Sequence, residues 1–271
     1  MPESPEQKSL REERSRTFGD VADVYERTRP SYPERATRWL ADGQVSRVLE
    51  LGAGTGKLTA QMAAWGHEII ATEPSSPMLE RLAAQLDVPA VRSGAEQLPF
   101  ANDSFDVVVV AQAYHWFDTT KALPEIARVL RPAGLFSLIW NLRDESIPWT
   151  RKLAEIVGSE DHDLSKEIEG ISGSGFFEPA EHAKFGFWQD LDLPGLLGLV
   201  QSRSYIAALS ESERMEVMER VRELYDSYGR GPDGLRLRYR TDCYRARVIK
   251  DALAPEDVEP PGGGDLLFDF R

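Results

Sequence analysis

The segment Glu50-Leu51-Gly52-Ala53-Gly54-Thr55-Gly56 predicts the fold of this 271-residue chain more strongly than any other stretch. It lies between a short apolar run at 47–51 and a helical pattern at 57–66. Glycine lets the backbone turn sharply and approach a ligand, because it has no Cβ. The following helix offers free N–H groups and a positive dipole end. We therefore predict a strand–loop–helix unit that binds a ligand at its loop.

Apolar runs and helical patterns alternate on both sides of this loop. The predicted strands cover residues 47–52, 67–73, 88–94, 106–113 and 134–141. The predicted helices cover residues 57–66, 75–86 and 118–132. Alternation of this kind is typical of βαβ units, which build a parallel sheet with right-handed crossovers. We expect an α/β, Rossmann-like core over residues 36–142.

The two ends of the chain differ in composition from this core. Residues 1–16 are rich in charge, and residues 254–271 are acidic and rich in proline and glycine. We expect both to be disordered, since neither has the apolar residues for a core. Residues 17–35 predict a helix, a bend and a second helix, which would form an N-terminal helical lid with a hinge at 29–33.

The region beyond the core predicts a cap. Residues 143–253 contain helical stretches, notably at 210–229, mixed with segments punctuated by glycine and proline. Two late strand candidates follow, at 183–193 and 234–250. We expect these strands to return to the edge of the sheet, with the helices between them covering the substrate region.

Composition excludes several classes of function. The formal net charge of −13 argues against nucleic acid as a partner, because so acidic a surface repels phosphate backbones. The single cysteine, Cys243, excludes an internal disulfide, and no cysteine–histidine cluster has the spacing of a metal site. No signal peptide is evident, and the longest apolar run, at 107–111, is too short to span a bilayer. We expect a cytoplasmic protein without a metal or membrane partner.

The spacing of the loop glycines distinguishes three classes of ligand. A triphosphate loop of the form G-x-x-x-x-G-K-[ST] is excluded, because Leu51 and Leu58 replace its first glycine and its serine or threonine. A dinucleotide loop of the form G-x-G-x-x-G is disfavoured by Lys57 at the third glycine position. The observed E-x-G-x-G-x-G resembles the first signature of class I methyltransferases. That resemblance implies a loop for the methionine portion of S-adenosylmethionine, formed by Glu50, Gly52, Gly54 and Gly56.

Later residues fit the same ligand. Glu73 ends the second predicted strand, about 20 residues beyond the loop, where an acidic residue meets the ribose hydroxyls in nucleoside-binding α/β folds. Met78 resembles the methionine of the family's E/D-x-S-x-x-M-L stretch, which packs near adenine. Residues 94–106 resemble its G-D-A-E-x-L-P-F and D-x-S-F-D motifs, with Gly94 in place of the usual aspartate. The resemblance therefore assigns the adenine contact to Glu96 and the Ala95 backbone.

A narrower resemblance covers most of residues 17–145. The segments at 18–25, 29–33 and 112–117 are similar to the trans-aconitate methyltransferase-like proteins, a bacterial group of small-molecule methyltransferases. The resemblance implies a seven-stranded, mostly parallel sheet with helices on both faces, a helical cap and an antiparallel seventh strand. It also implies a small-molecule methyl acceptor.

Candidate catalytic residues follow the fourth and fifth predicted strands, because ligands of open α/β sheets bind beyond the carboxyl ends of strands. Gln112 is expected to contact the cofactor. His115 is the candidate general base, since imidazole accepts a proton near neutral pH. Tyr25 and Asn141 complete the candidate catalytic set.

A carboxylate acceptor would need no base but would need cations. Arg29, Arg143 and Arg203 are candidate clamps, because a guanidinium group binds a carboxylate through two parallel hydrogen bonds. Three aromatic residues are expected to line the same pocket: Tyr32, Trp116 and Trp140.

Two other hypotheses stay open at the level of sequence. A nicotinamide-dependent oxidoreductase would share the topology, although the glycine spacing argues against it. A non-catalytic sensor or partner subunit that binds S-adenosylmethionine would carry the same cofactor motifs, because a fold does not define a function. The favoured hypothesis is an enzyme, a monomer or homodimer, that transfers the methyl group of S-adenosylmethionine to a carboxylate or hydroxyl oxygen of a small molecule.

Overall fold

A computed structural model describes residues 29–159, 164–229 and 234–250 of the chain. The predicted arm at 1–16, most of the predicted lid and the predicted tail at 254–271 lie outside these residues, and so does Tyr25. No helix of the described part is long and apolar enough to cross a membrane.

The described strands form one sheet. They are β1 (Arg47–Leu51), β2 (Glu68–Thr72), β3 (Ala90–Val91), β4 (Phe105–Ala111), β5 (Leu130–Arg143), β6 (Glu181–Leu191) and β7 (Leu235–Arg247). Their order in the sheet is β3-β2-β1-β4-β5-β7-β6. Strands β1 to β5 pair in parallel, whereas β7 is antiparallel to both β5 and β6. The predicted seven-stranded, mostly parallel, Rossmann-like sheet is confirmed.

Helices cover both faces of this sheet. They are α1 (Glu34–Leu40), α2 (Lys57–Ala64), α3 (Ser76–Gln85), α4 (Thr119–Val129), α5 (Pro148–Val157), α6 (Ser165–Gly173), α7 (Leu193–Gln201), α8 (Ser204–Ala207) and α9 (Glu211–Tyr228). Val107 and Val109 of β4 pack with α1 and α2, whereas Val108 and Val110 pack with α4 and α6. A strand covered on both faces needs an unbroken apolar run, which explains the four consecutive valines.

Two predicted elements are shorter in the structure. The third strand pairs only at Ala90 and Val91, because the preceding Pro89 has no N–H to donate to a neighbouring strand. Helix α4 ends at Val129 rather than at Pro132, since the residue before a proline avoids helical geometry. The chain enters β5 at Leu130 instead, and a register shift against β4 follows.

The predicted cap has a hydrophobic core of its own. Helices α5, α7 and α9 pack against the edge strands through a second buried cluster, separate from the clusters of the main sheet: Trp149, Leu153, Val157, Leu191, Leu196, Leu199, Val200, Ile206, Met218, Val221, Leu224, Leu235, Leu237 and Tyr239. A capping box between Ser210 and Glu213 starts α9. Both late strands return to the sheet, as the sequence predicts.

The turn from β1 into α2 depends on Gly56. Its φ angle is +90°, in the left-handed region that favours glycine. A Cβ at this position would lie 2.7 Å from Leu86 Cδ1 and 3.0 Å from Leu82 Cγ. Residues on α3 and just beyond it therefore exclude any side chain here.

Replacing Gly56 with alanine is expected to destabilise the fold by about 2–4 kcal/mol, because backbone strain and a steric clash add. Gly66→Ala is the matched control. Gly66 has a φ of +85°, but a Cβ there meets no atom within 4 Å, so strain alone should cost about 1 kcal/mol. Urea unfolding measures both losses. Equal losses in the two variants would contradict the packing argument.

Candidate active site

A cleft lies at the carboxyl ends of β1 and β4. It is lined by Arg29, Pro30, Tyr32, Glu50, Gly52, Ala53, Gly54, Thr55, Lys57, Leu58, Ala111 and Gln112. The structure thus brings six of the predicted site residues together: Arg29, Tyr32, Glu50, Gly52, Gly54 and Gln112. The loop approaches the end of β4 so closely that a Cβ on Gly52 would lie 2.8 Å from Ala113 Cβ.

Glu73 joins the glycine loop to the start of α3. Its carboxylate follows β2 and is buried. Oε2 accepts a hydrogen bond from the Gly54 N–H at 2.9 Å, and Oε1 accepts one from the Ser75 N–H at 2.9 Å. Burial raises the pKa of Glu73, and these two hydrogen bonds oppose that rise. The predicted ribose-binding residue is therefore held rigidly beside the loop.

The loop itself has the features of a ligand cradle. Gly54 lines the cleft with a φ of +59°, and a Cβ there would meet no atom within 4 Å. The neighbouring Thr55 hydroxyl is buried and has no hydrogen-bond partner within the described residues. Open space beside a buried hydroxyl that lacks a partner is typical of a site for a polar ligand. These residues fit the methionine portion of S-adenosylmethionine.

Glu50 is buried at the floor of the cleft. Its Oε2 accepts a hydrogen bond from Thr59 Oγ1 on α2 at 2.6 Å. Burial raises the pKa of Glu50 to about 8, the Thr59 hydrogen bond opposes the rise, and Glu73 adds to it. The carboxyl group is therefore mostly protonated at neutral pH in the ligand-free chain.

The predicted hinge at 29–33 forms one wall of the cleft and is anchored on two sides. Gln61 of α2 accepts a hydrogen bond from the Tyr32 N–H at 3.0 Å and donates one to the Tyr32 carbonyl at 2.7 Å. Asn141 of β5 donates to the Ser31 carbonyl at 3.1 Å. Asn141 also accepts a hydrogen bond from Thr241 of β7 at 2.7 Å. The segment therefore connects α2 with the end of β5.

Gln112 adopts an unusual backbone conformation where β4 ends. Its φ is +58°, which is uncommon for a residue with a side chain, and strain of this kind concentrates at functional sites. The Gln112 N–H donates to the Ile139 carbonyl at 3.0 Å, and Nε2 donates to the Asn141 carbonyl at 3.4 Å. β5 thus holds Gln112 in this conformation at the cleft.

The predicted adenine side is organised around Gly94. A Cβ at Gly94 would lie 2.8 Å from Glu96 Oε2, so the Glu96 carboxylate occupies the space of the aspartate that the family usually carries. Glu96 Oε1 accepts a hydrogen bond from the Asp118 N–H at 3.0 Å. Ala95 is buried next to Gly94 on the same loop, and Met78 is buried on α3. Their contact with adenine stays a prediction.

The residues predicted to surround the reaction centre, His115, Trp116 and Trp140, do not lie together in the structure. His115 is exposed on a 3₁₀ turn, Tyr114–Trp116, and its ring lies 4.7 Å from the half-buried Trp116 ring. Trp140 is buried in the main hydrophobic cluster with Leu138 and Leu142, and its ring packs edge-on against Tyr244. The side chain of Trp140 leaves the opposite face of the sheet from Asn141, because successive strand residues alternate. It is not among the residues that line the cleft.

The three predicted arginine clamps lie close to one another. Arg143 ends β5 with a fully buried side chain, and Arg203 after α7 is 4% exposed. Arg29 donates from Nε to Ser202 Oγ at 3.0 Å, directly beside Arg203. Within the described residues, no group of three or more metal-ligating side chains could hold a metal ion.

Comparison with known proteins agrees with this geometry. A model of the methyltransferase domain matches residues 49–138. An uncharacterized methyltransferase of Mycobacterium tuberculosis is 39% identical over 88% of this chain and 98% of its own length. An uncharacterized methyltransferase-like protein of Schizosaccharomyces pombe is 37% identical over 83% of this chain and 92% of its own. A structure from Anaeromyxobacter dehalogenans, described as a candidate type II methyltransferase, has a TM-score of 0.59 at 22% identity, over 81% of this chain and 97% of that one.

The sheet order is that of the class I methyltransferase fold, and the domain model together with the relatives identifies the chain as an S-adenosylmethionine-dependent methyltransferase of this class. The chain belongs to the methyltransferase family represented by these mycobacterial and yeast relatives.

Several residues of the site were not predicted from the sequence. Thr55, Thr59 and Gln61 lie within or directly after the glycine motif, and their polar side chains near a ligand loop were the available signal. Tyr239 stands opposite Arg143 through the pairing of β5 and β7, and no local pattern in the sequence indicates that pairing.

The stability of the protein is expected to fall as the pH rises from 4.5 to 8. Over this range the folded state keeps a proton on Glu50 that the unfolded state has released, so ionisation favours unfolding. The full effect is on the order of 5 kcal/mol. Urea unfolding between pH 5 and pH 8 measures the decline in the free energy of unfolding. The decline should be shallower for Glu50→Gln than for the wild type, because the variant lacks the Glu50 carboxyl group and keeps every other titrating group. Parallel profiles would refute the assignment.

Proposed function

We propose that this methyltransferase transfers the methyl group of S-adenosylmethionine to an oxygen atom of a small-molecule acceptor. The single observation that carries the cofactor assignment is the joint arrangement of Glu73, Gly54 and Thr55. One carboxylate fixes the loop backbone, an open space lies beside Gly54, and a buried hydroxyl in the same cleft lacks a partner among the described residues.

The cofactor roles follow the order of the sequence motifs. The Glu73 carboxylate accepts hydrogen bonds from the ribose hydroxyls, using the lone pairs that the Gly54 and Ser75 N–H groups do not occupy. The Thr55 hydroxyl binds the methionine portion, which occupies the open space beside Gly54. Glu96, Ala95 and Met78 hold the adenine end, and Gly56 keeps the turn into α2.

When bound, S-adenosylmethionine supplies a methyl group that is already activated by the sulfonium charge. The task of the protein is to align the acceptor oxygen with that methyl group in a site without water, and alignment of this kind contributes about 7–11 kcal/mol in model reactions. Gln112 lines the cleft and donates to the Asn141 carbonyl, and the Asn141 side chain anchors the 29–33 wall through the Ser31 carbonyl. Tyr25, proposed for the same site, lies outside the described residues.

The acceptor oxygen belongs to a hydroxyl or a carboxylate group. A hydroxyl acceptor must lose its proton during transfer, and His115 is the proposed base. It lies on the 3₁₀ turn that begins two residues after Gln112, where β4 ends, and the role rests on the ability of imidazole to accept a proton near neutral pH. A carboxylate acceptor needs no base. Tyr32 and Trp116 form the proposed aromatic walls.

Calorimetric titration with S-adenosylmethionine and S-adenosylhomocysteine tests the cofactor site. Both ligands are expected to bind the wild type, and Glu73→Ala should weaken both by about tenfold or more, the value of a lost hydrogen bond to a charged group. Glu68→Ala on the same strand is the matched control, because Glu68 is exposed and pairs with Arg47. Absence of binding, or tighter binding of NADH, would overturn the proposal.

Binding of S-adenosylmethionine is expected to release a proton near neutral pH. A cationic ligand beside Glu50 favours the ionised carboxylate and lowers its pKa from about 8. By linkage, affinity should rise between pH 6 and pH 8. Titrations in buffers of different ionisation enthalpy count the protons, and Glu50→Gln should abolish the release. An unchanged release in this variant would assign the proton to another group.

A further inference from the structure

The end of β5 buries a charged side chain against a phenol. Arg143 stands directly opposite Tyr239 of β7, so both side chains leave the same face of the sheet. The Arg143 side chain is fully buried, and Tyr239 is 2% exposed. The Tyr239 hydroxyl has no hydrogen-bond partner within the described part of the chain. A buried hydroxyl in this state indicates a ligand atom that the protein does not itself supply.

Two more guanidinium groups, those of Arg29 and Arg203, act electrostatically on this hydroxyl. Burial, together with Arg29 and Arg143, lowers the pKa of Arg203 to about 9. The same three arginines act on the pKa of Tyr239 in the downward direction, against the larger upward effect of its burial. All four groups therefore lie within electrostatic range of one another. We call Arg29, Arg143, Arg203 and Tyr239 the arginine pocket.

The arginine pocket adjoins the cofactor cleft. Arg29 lines that cleft together with Gln112. Asn141, two residues before Arg143 on the same face of β5, donates to the Ser31 carbonyl at 3.1 Å, in the wall of the cleft. The pocket thus lies on the side of the cleft formed by β5 and the cap. The glycine loop forms the other side of the cleft, so the side next to β5 is the one that we assign to the acceptor.

Among the described residues, Glu145 is an acidic side chain close to Arg143. It lies 3.9 Å from Arg143, and its two carboxylate oxygens also accept from Ser159 Oγ at 2.9 and 2.8 Å. The same nitrogen of Arg143, Nη2, donates a hydrogen bond to the Gly158 carbonyl at 2.6 Å. These contacts hold the guanidinium plane in place. A fixed plane favours an anion that can accept two parallel hydrogen bonds.

We infer that the arginine pocket binds a carboxylate group of the methyl acceptor, distinct from the oxygen atom that is methylated. The inference rests on the proposed function and adds the class of substrate. Guanidinium groups and a phenol hydroxyl are all donors, so together they match an oxyanion. A carboxylate whose lone pairs are engaged by these donors is a poor nucleophile. It serves as an anchor, and a second oxygen of the same molecule points to the cleft.

The test uses the full-length chain, with and without saturating S-adenosylhomocysteine, and two pairs of probes. These are 4-hydroxybenzoate with 4-hydroxybenzamide, and succinate with succinamide. Calorimetry should show each acid binding about tenfold or more tightly than its amide, since only the acid is an anion. Tyr239→Phe should weaken the acids by about tenfold and leave the amides unchanged. Arg203→Lys should act in the same direction, because lysine lacks the planar fork.

Two control variants lie outside the pocket. Tyr228→Phe removes a phenol hydroxyl at the exposed end of α9, and Arg236→Lys alters an exposed arginine of β7 that pairs with Asp190. Both should bind acids as the wild type does. Thermal unfolding checks that each variant is folded. If Arg203→Lys does not fold, Tyr239→Phe still tests the inference, because phenylalanine keeps the shape of the ring.

The possible results separate the hypotheses. The inference would be overturned if the acids bound no more tightly than the amides. It would also be overturned if Tyr239→Phe weakened the binding of acids and amides equally. If phenyl phosphate binds more tightly than 4-hydroxybenzoate, and this binding is lost in Tyr239→Phe, the pocket is assigned to a phosphate group. That result would overturn the assignment to a carboxylate group. Failure of S-adenosylhomocysteine to bind, with acids still bound, would reject the proposed function and leave the anion pocket intact.

Discussion

The parallel pairing of β1 with β2 on one side and with β4 on the other is the constraint on which the site depends. Because all three strands run in one direction, their carboxyl ends meet at a single edge of the sheet. Glu50 and Gln112 therefore line the same cleft although they come from separate parts of the sequence, and Glu73 lies beside its glycine loop. The Glu73 carboxylate then fixes the loop through the Gly54 N–H and fixes the start of α3 through the Ser75 N–H. The shape of the cofactor cleft is set by the sheet before any ligand binds.

Charge is buried on both sides of this edge, with different consequences. Glu50 can avoid a buried negative charge by keeping its proton, and burial raises its pKa to about 8. An arginine cannot do the same at neutral pH, since even a pKa lowered to about 9 leaves Arg203 mostly protonated. The cap side of the cleft thus keeps positive charge inside a chain whose formal net charge is −13. Net charge excludes extended polyanions at the surface, but local geometry governs which small anion can enter.

The sequence predicted those parts of the molecule that depend on local patterns. The glycine loop, Glu73 and the four valines of β4 each lie in one short stretch, and the structure has them where that stretch predicts. Contacts between distant segments were not predictable in the same way. Tyr239 meets Arg143 only because β7 inserts in an antiparallel sense between β5 and β6. Trp140 shows the converse, since it lies near the carboxyl end of β5 but alternation along the strand places it in the core.

The position of β7 also separates the two halves of the site. Its amino-terminal part lies beside the carboxyl end of β5, so Thr241 supports Asn141 and Tyr239 faces Arg143. These residues belong to the cap side, whose helices pack in a hydrophobic cluster separate from those of the main sheet. The cofactor loop depends instead on β1, β2 and α3. The Glu73–Gly54 contact and the cap cluster thus depend on different strands and helices, so we expect substitutions in the cap cluster to leave the contact between Glu73 and the glycine loop in place.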